Sequence, residues 1–185
     1  MELLPFLRSQ VCANRLANHR LHAAMAPLPR DEFHAPRTGF FPSLAETLNH
    51  ILAVDLYYLA ALHGEADMER QWSAFVPCGT VAELARAQAR ADARFIALLE
   101  ALSAAQLDEV IALDRGDHVQ HERRGHVIAH LLNHQVHHRG QAHAMLAGTA
   151  VKPPQLDEFL MPSEAHLRVA EMAALGWTES ELFPR

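Results

Sequence analysis

Four histidines crowd the stretch LLNHQVHHRGQAHAML at residues 131–146: His134, His137, His138 and His143. A neutral imidazole nitrogen binds divalent transition metals, and the same ring moves protons near neutral pH. His134 and His138 stand four residues apart. On a helix of about 3.6 residues per turn they project from one face roughly 40° apart, close enough to share an ion. Two histidines at that spacing on a helix can supply half of a metal site. The plain competitor is a pair of hydrogen-bonded packing histidines, and spacing alone does not separate the two. His130 can just reach the same layer and rivals a member of the pair. His126 falls to one side with His137. His137 and His143 read as surface or interface residues, and His118, His121 and His166 as solvated ones.

A third ligand has to come from another helix. The segment TLNHILAVDLYYL offers His50, and with Asp55 it is the main polar intrusion in an apolar run. Alone, His50 reads as a satisfied core histidine. Set against the pair His134 and His138, it becomes the natural third ligand. Asp55 can orient an imidazole N–H or pair with Arg139. Asn14 and Asn18 offer the same service from the first helix, or else they hydrogen-bond between helices and fix register. Tyr57 and Tyr58 read first as packing residues and second as the mouth of a site. No serine or threonine nucleophile stands out, because Ser43 and Thr80 are explained by helix capping. There is no glycine-rich phosphate loop. Helix four has no ExxH pair of the kind that di-iron bundles use.

Four long helices must position these groups, expected near residues 2–25, 44–63, 81–103 and 124–147. Ser43 with Glu46, and Thr80 with Glu83, form capping-box signals. The proline-rich segment 26–43 reads as an irregular connection. Gly148 suits the left-handed position after a helix, and Pro153-Pro154 forbids continuation. A shorter fifth helix is expected within 163–175, and residues 107–125 allow a short extended or hairpin piece. Leu7, Val11, Asn14, Asn18, Leu21 and Met25 recur at steps of four and three, which places them on one helix face. The same steps connect Leu44, Leu48, Ile51, Asp55, Tyr58 and Leu62. They connect Leu84, Gln88, Ala91, Phe95, Leu98 and Leu102 as well, and Val127, Leu131, His134, His138, Gln141 and Met145. The expected fold is therefore all-α, a four-helix bundle with long irregular connections and a short C-terminal helix. Each stripe is polar near its middle, so the bundle must bury a polar layer, which costs several kcal/mol unless every group finds a partner.

Composition narrows the function classes. The chain has 185 residues, half of them apolar, enough for one domain over 1–185 with a core to about 160 and an extension over 161–185. Acids outnumber bases, 22 to 16, so nucleic acid is not the expected partner. No run reaches the roughly 18 apolar residues of a membrane span. MELLPFLRSQ lacks the form of a signal peptide. Two cysteines, Cys12 and Cys78, without a CxxC motif fit a reduced, cytoplasmic protein.

LNHILAVDLYYL followed far downstream by HLLNHQVHHRGQAHAML resembles the DinB family, in the DinB/YfiT-like superfamily of metalloenzymes (not the polymerase that shares the name). ANRLANHRL, GFFPSLAETLNHI and PPQLDEFL are similar to the family's patterns too, so the resemblance covers roughly residues 1–160. It implies a four-helix bundle holding a divalent metal through three histidines, which carried over are His50, His134 and His138. The resemblance also implies a small-molecule substrate, a low-molecular-weight thiol as partner, thiol-dependent S-transferase or hydrolase-type chemistry, and a homodimer. Three neutral imidazoles with an open position are the pattern of a catalytic metal site, and imidazole nitrogen suits zinc or nickel, with iron as a further option. A non-enzymatic metal-binding stress or scaffold protein is the alternative. Two departures bear on the substrate pocket. Ala13 stands where the family more usually has an aromatic residue, and the tail AHLRVAEMAALGWTESELFPR lies outside the resemblance.

Overall fold

The computed structural model describes residues 2–66, 68–157 and 160–183. In chain order its helices are α1 (Leu3–Met25), α2 (Arg30–His34), α3 (Leu44–His63), α4 (Met68–Ser73) and α5 (Val81–Ala101). A hairpin follows, β1 (Val110–Asp114) and β2 (Val119–Arg123), then α6 (Arg124–Leu146), α7 (Val169–Leu175) and α8 (Glu179–Leu182). The four long helices agree with the expected bounds to within two residues. The segment 26–43 is not wholly irregular, since α2 interrupts it, and α4 arises between Gly64 and Thr80. Both are too short to show a periodic stripe. Of the stretch PPQLDEFL, Glu158 and Phe159 lie outside the described residues.

Local chemistry sets the helix ends. The Ser43 hydroxyl accepts the Glu46 N–H at 3.1 Å, and Thr80 accepts the Glu83 N–H at 3.2 Å. The Glu83 carboxylate reaches back to the Gly79 N–H at 3.0 Å. Gly148 is not left-handed, contrary to expectation; left-handed glycines end other helices, Gly176 at φ 67° after α7 and Gly64 at φ 69° after α3. Its N–H and that of Glu65 close on Ala61 and Ala60 at 3.0 and 2.9 Å. At the end of α6 the Thr149 hydroxyl instead donates to the Leu146 carbonyl at 2.8 Å, so the turn needs no positive φ. Gly64→Ala should destabilise the protein by about 1 kcal/mol, read from urea unfolding, because a Cβ is disfavoured at that φ.

The long helices close a ring in which α1 packs on α5, α5 on α3, α3 on α6 and α6 on α1. Leu7, Val11, Leu44, Leu48, Leu84, Phe95, Leu131 and Leu146 are among the buried side chains that fill it. The stripes of α1 and α5 are buried throughout, as the four-three spacing requires. That of α6 is buried at Val127, Leu131, His138 and Met145, but the buried face widens to take in Gln135 and Arg139, while His134 and Gln141 are half-buried at the flank. Gln135 and Arg139 are drawn inward by Asp55, Asn14 and Asn18, to which they donate. The hairpin forms where 107–125 allowed it, with Val110 opposite Arg123 and Asp114 opposite Val119. Gly116, at φ 86°, makes its turn. The tail packs on the outer face of α1, where Cys12, Ala13 and Leu16 meet Met172 and Leu182. The buried Arg168 there donates to Glu179 and to the Met161 carbonyl.

The polar layer is one connected network. Arg139 donates to Asn14 Oδ1 at 2.6 Å and to Asn18 Oδ1 at 2.9 Å. Asn18 donates to both oxygens of Asp92, at 3.1 and 3.3 Å, and Arg15 lies 3.6 Å from that carboxylate. Gln88 bridges Asp92 and Asp55 at 3.1 and 2.6 Å, and Gln135 donates to Asp55. Burial pushes the Asp55 carboxyl well above its usual range and the Asp92 carboxyl up to about 6. His22 is buried near Arg15 and Arg139. Burial first, and then those cations, push its imidazole down to about 3. Its folded pKa is depressed from about 6.5, so stability is full above that value and is lost as pH falls toward 3. A His22→Leu variant should therefore gain on the wild type by up to about 1.4 kcal/mol per pH unit between pH 6 and 4. Urea titrations at several pH values measure this.

Candidate metal centre

His50 leaves the second turn of α3, and His134 and His138 leave adjacent turns of α6. Because α3 and α6 are neighbours, the three rings converge. Their centroids lie 4.9 Å apart for His50 and His134, 4.6 Å for His50 and His138, and 4.5 Å for His134 and His138. Each offers a ring nitrogen, and those three nitrogens lie within 4.8 Å of one another. Among the described residues this is the group of histidines, cysteines and acids placed to hold a metal ion.

The local electrostatics suit a cation. His50 Nε2 and His134 Nε2 face each other at 3.0 Å. Two lone pairs so close repel unless a proton or a metal ion lies between them. Two nitrogens each about 2.1 Å from one ion would be about 3.0–3.4 Å apart. Burial, with neighbouring imidazoles adding to it, pushes His50 down to about 4 and His134 down to about 3, and it lowers His138 as well. All three are therefore neutral at pH 7, the form that ligates. His138 Nδ1 meets Gln141 Oε1 at 2.8 Å. The amide oxygen can only accept, so it fixes the tautomer with the proton on Nδ1 and leaves Nε2 free for a metal. His134 Nδ1 is buried without a hydrogen-bond partner. Phe41, just before α3, covers the cluster, with its ring 4.4 Å from His50 and 5.6 Å from His138. Asn49, next to His50, clamps the backbone of Cys78 at 3.0 and 2.7 Å and ties this part of α3 to the start of α5.

The other candidate residues lie elsewhere. Asp55 hydrogen-bonds to no imidazole, because its bonds run to Gln88 and Gln135. Nor does Arg139 bond to it. That guanidinium is taken by Asn14 and Asn18, which thus serve helix register. His130 is exposed, 5.1 Å from the Tyr58 ring and 6.2 Å from His134, and stands outside the cluster. His137 bonds to Gln141 at 3.2 Å, and His143 to the Pro154 carbonyl at 2.8 Å. Gln141 and Phe41 escape a sequence reading. Only the three-residue step from His138 to Gln141 on one helix could have flagged the first.

The chain is thus a helical bundle whose adjacent helices bring three imidazoles to one point, where they could hold a metal ion. Comparison gives the family: the DinB family profile matches residues 9–171, and the chain belongs to the DinB family. It is also similar to "Protein DinB" of Bacillus subtilis (strain 168), 23% identical over 155 residues, which cover 80% of this chain and 89% of that protein. No helix among the described residues is long and apolar enough to cross a membrane.

Proposed function

We propose that the protein is a metal-dependent enzyme of transferase or hydrolase type, with His50, His134 and His138 as ligands and a low-molecular-weight thiol as co-substrate. The observation that carries this reading is the convergence of three neutral imidazoles with no fourth protein ligand among the described residues. Structural zinc sites are usually closed by four protein groups, whereas three leave a position for water or substrate. Imidazole nitrogen favours zinc or nickel, with ferrous iron as a further option. A divalent ion held there would act as a Lewis acid and lower the pKa of a bound water or thiol. The ligand set carries no negative charge, so an anion such as a thiolate is the natural fourth partner. Gln141 holds His138 in the ligating tautomer, and Phe41 keeps bulk water from one side of the rings. In the reaction a carbon–sulfur bond forms, the leaving group departs with its bonding electrons, and the thiol proton passes to water.

The test begins with protein purified without a metal-affinity tag. About one equivalent of metal and a rise in melting temperature on zinc or nickel addition are expected. A screen of metal-loaded protein with several thiols and an electrophilic acceptor should then give turnover that His138→Ala abolishes. Metal uptake with no turnover for any pair would favour the alternative, a metal-binding protein whose ion stabilises the bundle.

A further inference from the structure

Beside the histidine cluster lies a cavity of about 250 Å³ whose wall includes His134. Four elements line it. Helix α3 supplies Tyr57 and Tyr58, α4 supplies Trp72 and Glu69, the hairpin supplies Asp114 and Arg115, and α6 supplies His130 beside His134. The tyrosines, read from sequence first as packing, thus line a space that adjoins a candidate ligand. Their rings stand edge to face at 5.1 Å, and Tyr57 and Trp72 do the same at 5.9 Å. The Tyr57 hydroxyl donates to the Asp114 carbonyl and ties the hairpin to α3.

Arg115 sets the chemistry. Its guanidinium carbon lies 5.3 and 5.5 Å from the centres of the Tyr57 and Tyr58 rings. Its hydrogen bonds go to two neutral oxygens, Tyr58 Oη and Gln120 Oε1, both at 3.1 Å. Among the described residues no ion pair occupies it. A guanidinium lying over aromatic faces, with no ion pair of its own among the described residues, is a preorganised site for a planar anion. Two acids limit how much negative charge can enter. Glu69 lines the cavity and accepts from the Ser73 hydroxyl at 2.7 Å, and the Asp114 carboxylate accepts the Gly116 N–H at 2.9 Å.

We propose that this cavity is the acceptor pocket of the metal site and takes a small molecule with a flat aromatic or apolar body and a single carboxylate, the body against Tyr57, Tyr58 and Trp72 and the carboxylate on Arg115. The assignment rests on the metal-enzyme reading for its role, but binding itself needs only the pocket. The volume falls just below the range of about 300–1,000 Å³ usual for drug-sized ligands, so one ring with a short substituent fits. Glu69 and Asp114 exclude polyanions such as nucleotide phosphates.

Trp72 reports on its own pocket once the second tryptophan is removed, so the probe protein is the full chain carrying Trp177→Phe. Fluorescence titration with 4-chlorobenzoate, and with 4-chlorobenzyl alcohol as its neutral counterpart, is run on zinc-loaded and metal-free protein. The acid should bind in both states and more tightly than the alcohol. Arg115→Met should weaken the acid about tenfold or more while changing the alcohol less than about twofold. Retained alcohol binding shows that the pocket survives the substitution. Glu69→Gln should strengthen the acid. If neither compound binds, or if Arg115→Met weakens both equally, the proposal is wrong. It is also wrong if acid binding is lost in His138→Ala and unchanged in Arg115→Met, since the carboxylate would then sit on the metal. Absence of zinc binding would overturn the metal-enzyme reading alone, and the Arg115 comparison on metal-free protein would still decide the pocket.

Discussion

The His138→Ala protein is expected to bind zinc at least about a hundredfold more weakly than the wild type, a difference that competition with a chromophoric chelator would measure. The substitution leaves two imidazoles at the site and removes the ring whose tautomer is set by Gln141. Loss of an outer partner alone commonly costs about ten- to a hundredfold in metal affinity, and loss of a ligand costs more. Gln141→Ala, which keeps all three rings, should therefore fall between the two proteins. His130→Ala and His143→Ala are the controls. Their rings stand outside the cluster, and neither should move the affinity by more than about twofold. A loss in His130→Ala as large as that in His138→Ala would mean that α6 presents a different pair of histidines. Zinc affinity unchanged in His138→Ala would remove the site altogether.

Arg139→Met is expected to cost about 3–5 kcal/mol of folding free energy, because it leaves two buried amide oxygens without a donor, at about 1–3 kcal/mol each, and takes a positive charge from the neighbourhood of Asp92. Methionine comes near the side-chain length and carries no donor. Asn14 Oδ1 and Asn18 Oδ1 would each lose the guanidinium that now satisfies them, and Asp92 would lose a neighbouring positive charge. Arg15, at 3.6 Å from Asp92, limits the damage but cannot replace a group buried among the helices. Asp55→Asn should behave differently. Burial already favours the uncharged acid at Asp55, and Asp55 Oδ1 and Gln135 Oε1 are both buried acceptors without a donor. An amide there supplies an N–H at no cost in charge, so the change should lie within about 1 kcal/mol of neutral or stabilise. Chemical denaturation of the three proteins at pH 7 measures both effects. A loss in Asp55→Asn equal to that in Arg139→Met would mean that Asp55 is ionised in the fold.

Much of this arrangement is legible in the amino-acid sequence, and the exceptions have physical causes. The stripes on α1 and α5 alternate strong apolar residues with a few amides, so only one rotation buries them, and Asn14, Asn18 and Gln88 fall inside. Helix α6 is different. Its buried face is wider than a four-three stripe, taking in Ile128, Gln135, Arg139, Ala142 and Leu146 as well as Val127, Leu131, His138 and Met145. Hence Gln135 and Arg139, not His134, reach the centre. A buried arginine runs against the usual preference of that residue. Its justification lies in asparagines more than a hundred positions away, which spacing along the chain does not reveal. The pairing of His50 with His134 and His138 was easier to read, because each histidine interrupts a run that would otherwise pack. Helices α2 and α4 span less than two turns and leave no period to detect. Helix α6 ends without a left-handed glycine at Gly148, because the Thr149 hydroxyl serves the Leu146 carbonyl. The hairpin matters most for its turn. Arg115 looks like any solvated arginine in sequence, and only the fold stacks it over Tyr57 and Tyr58.

The account rests on one metal ion shared by three imidazoles, and anomalous diffraction tests that most directly. Crystals of tag-free protein, grown with one equivalent of zinc, would be measured on both sides of the zinc absorption edge. The account predicts one strong anomalous peak bonded to ring nitrogens of His50, His134 and His138 at about 2.0–2.1 Å. No peak at that point, or a peak bonded instead to His130 or His137, would contradict it.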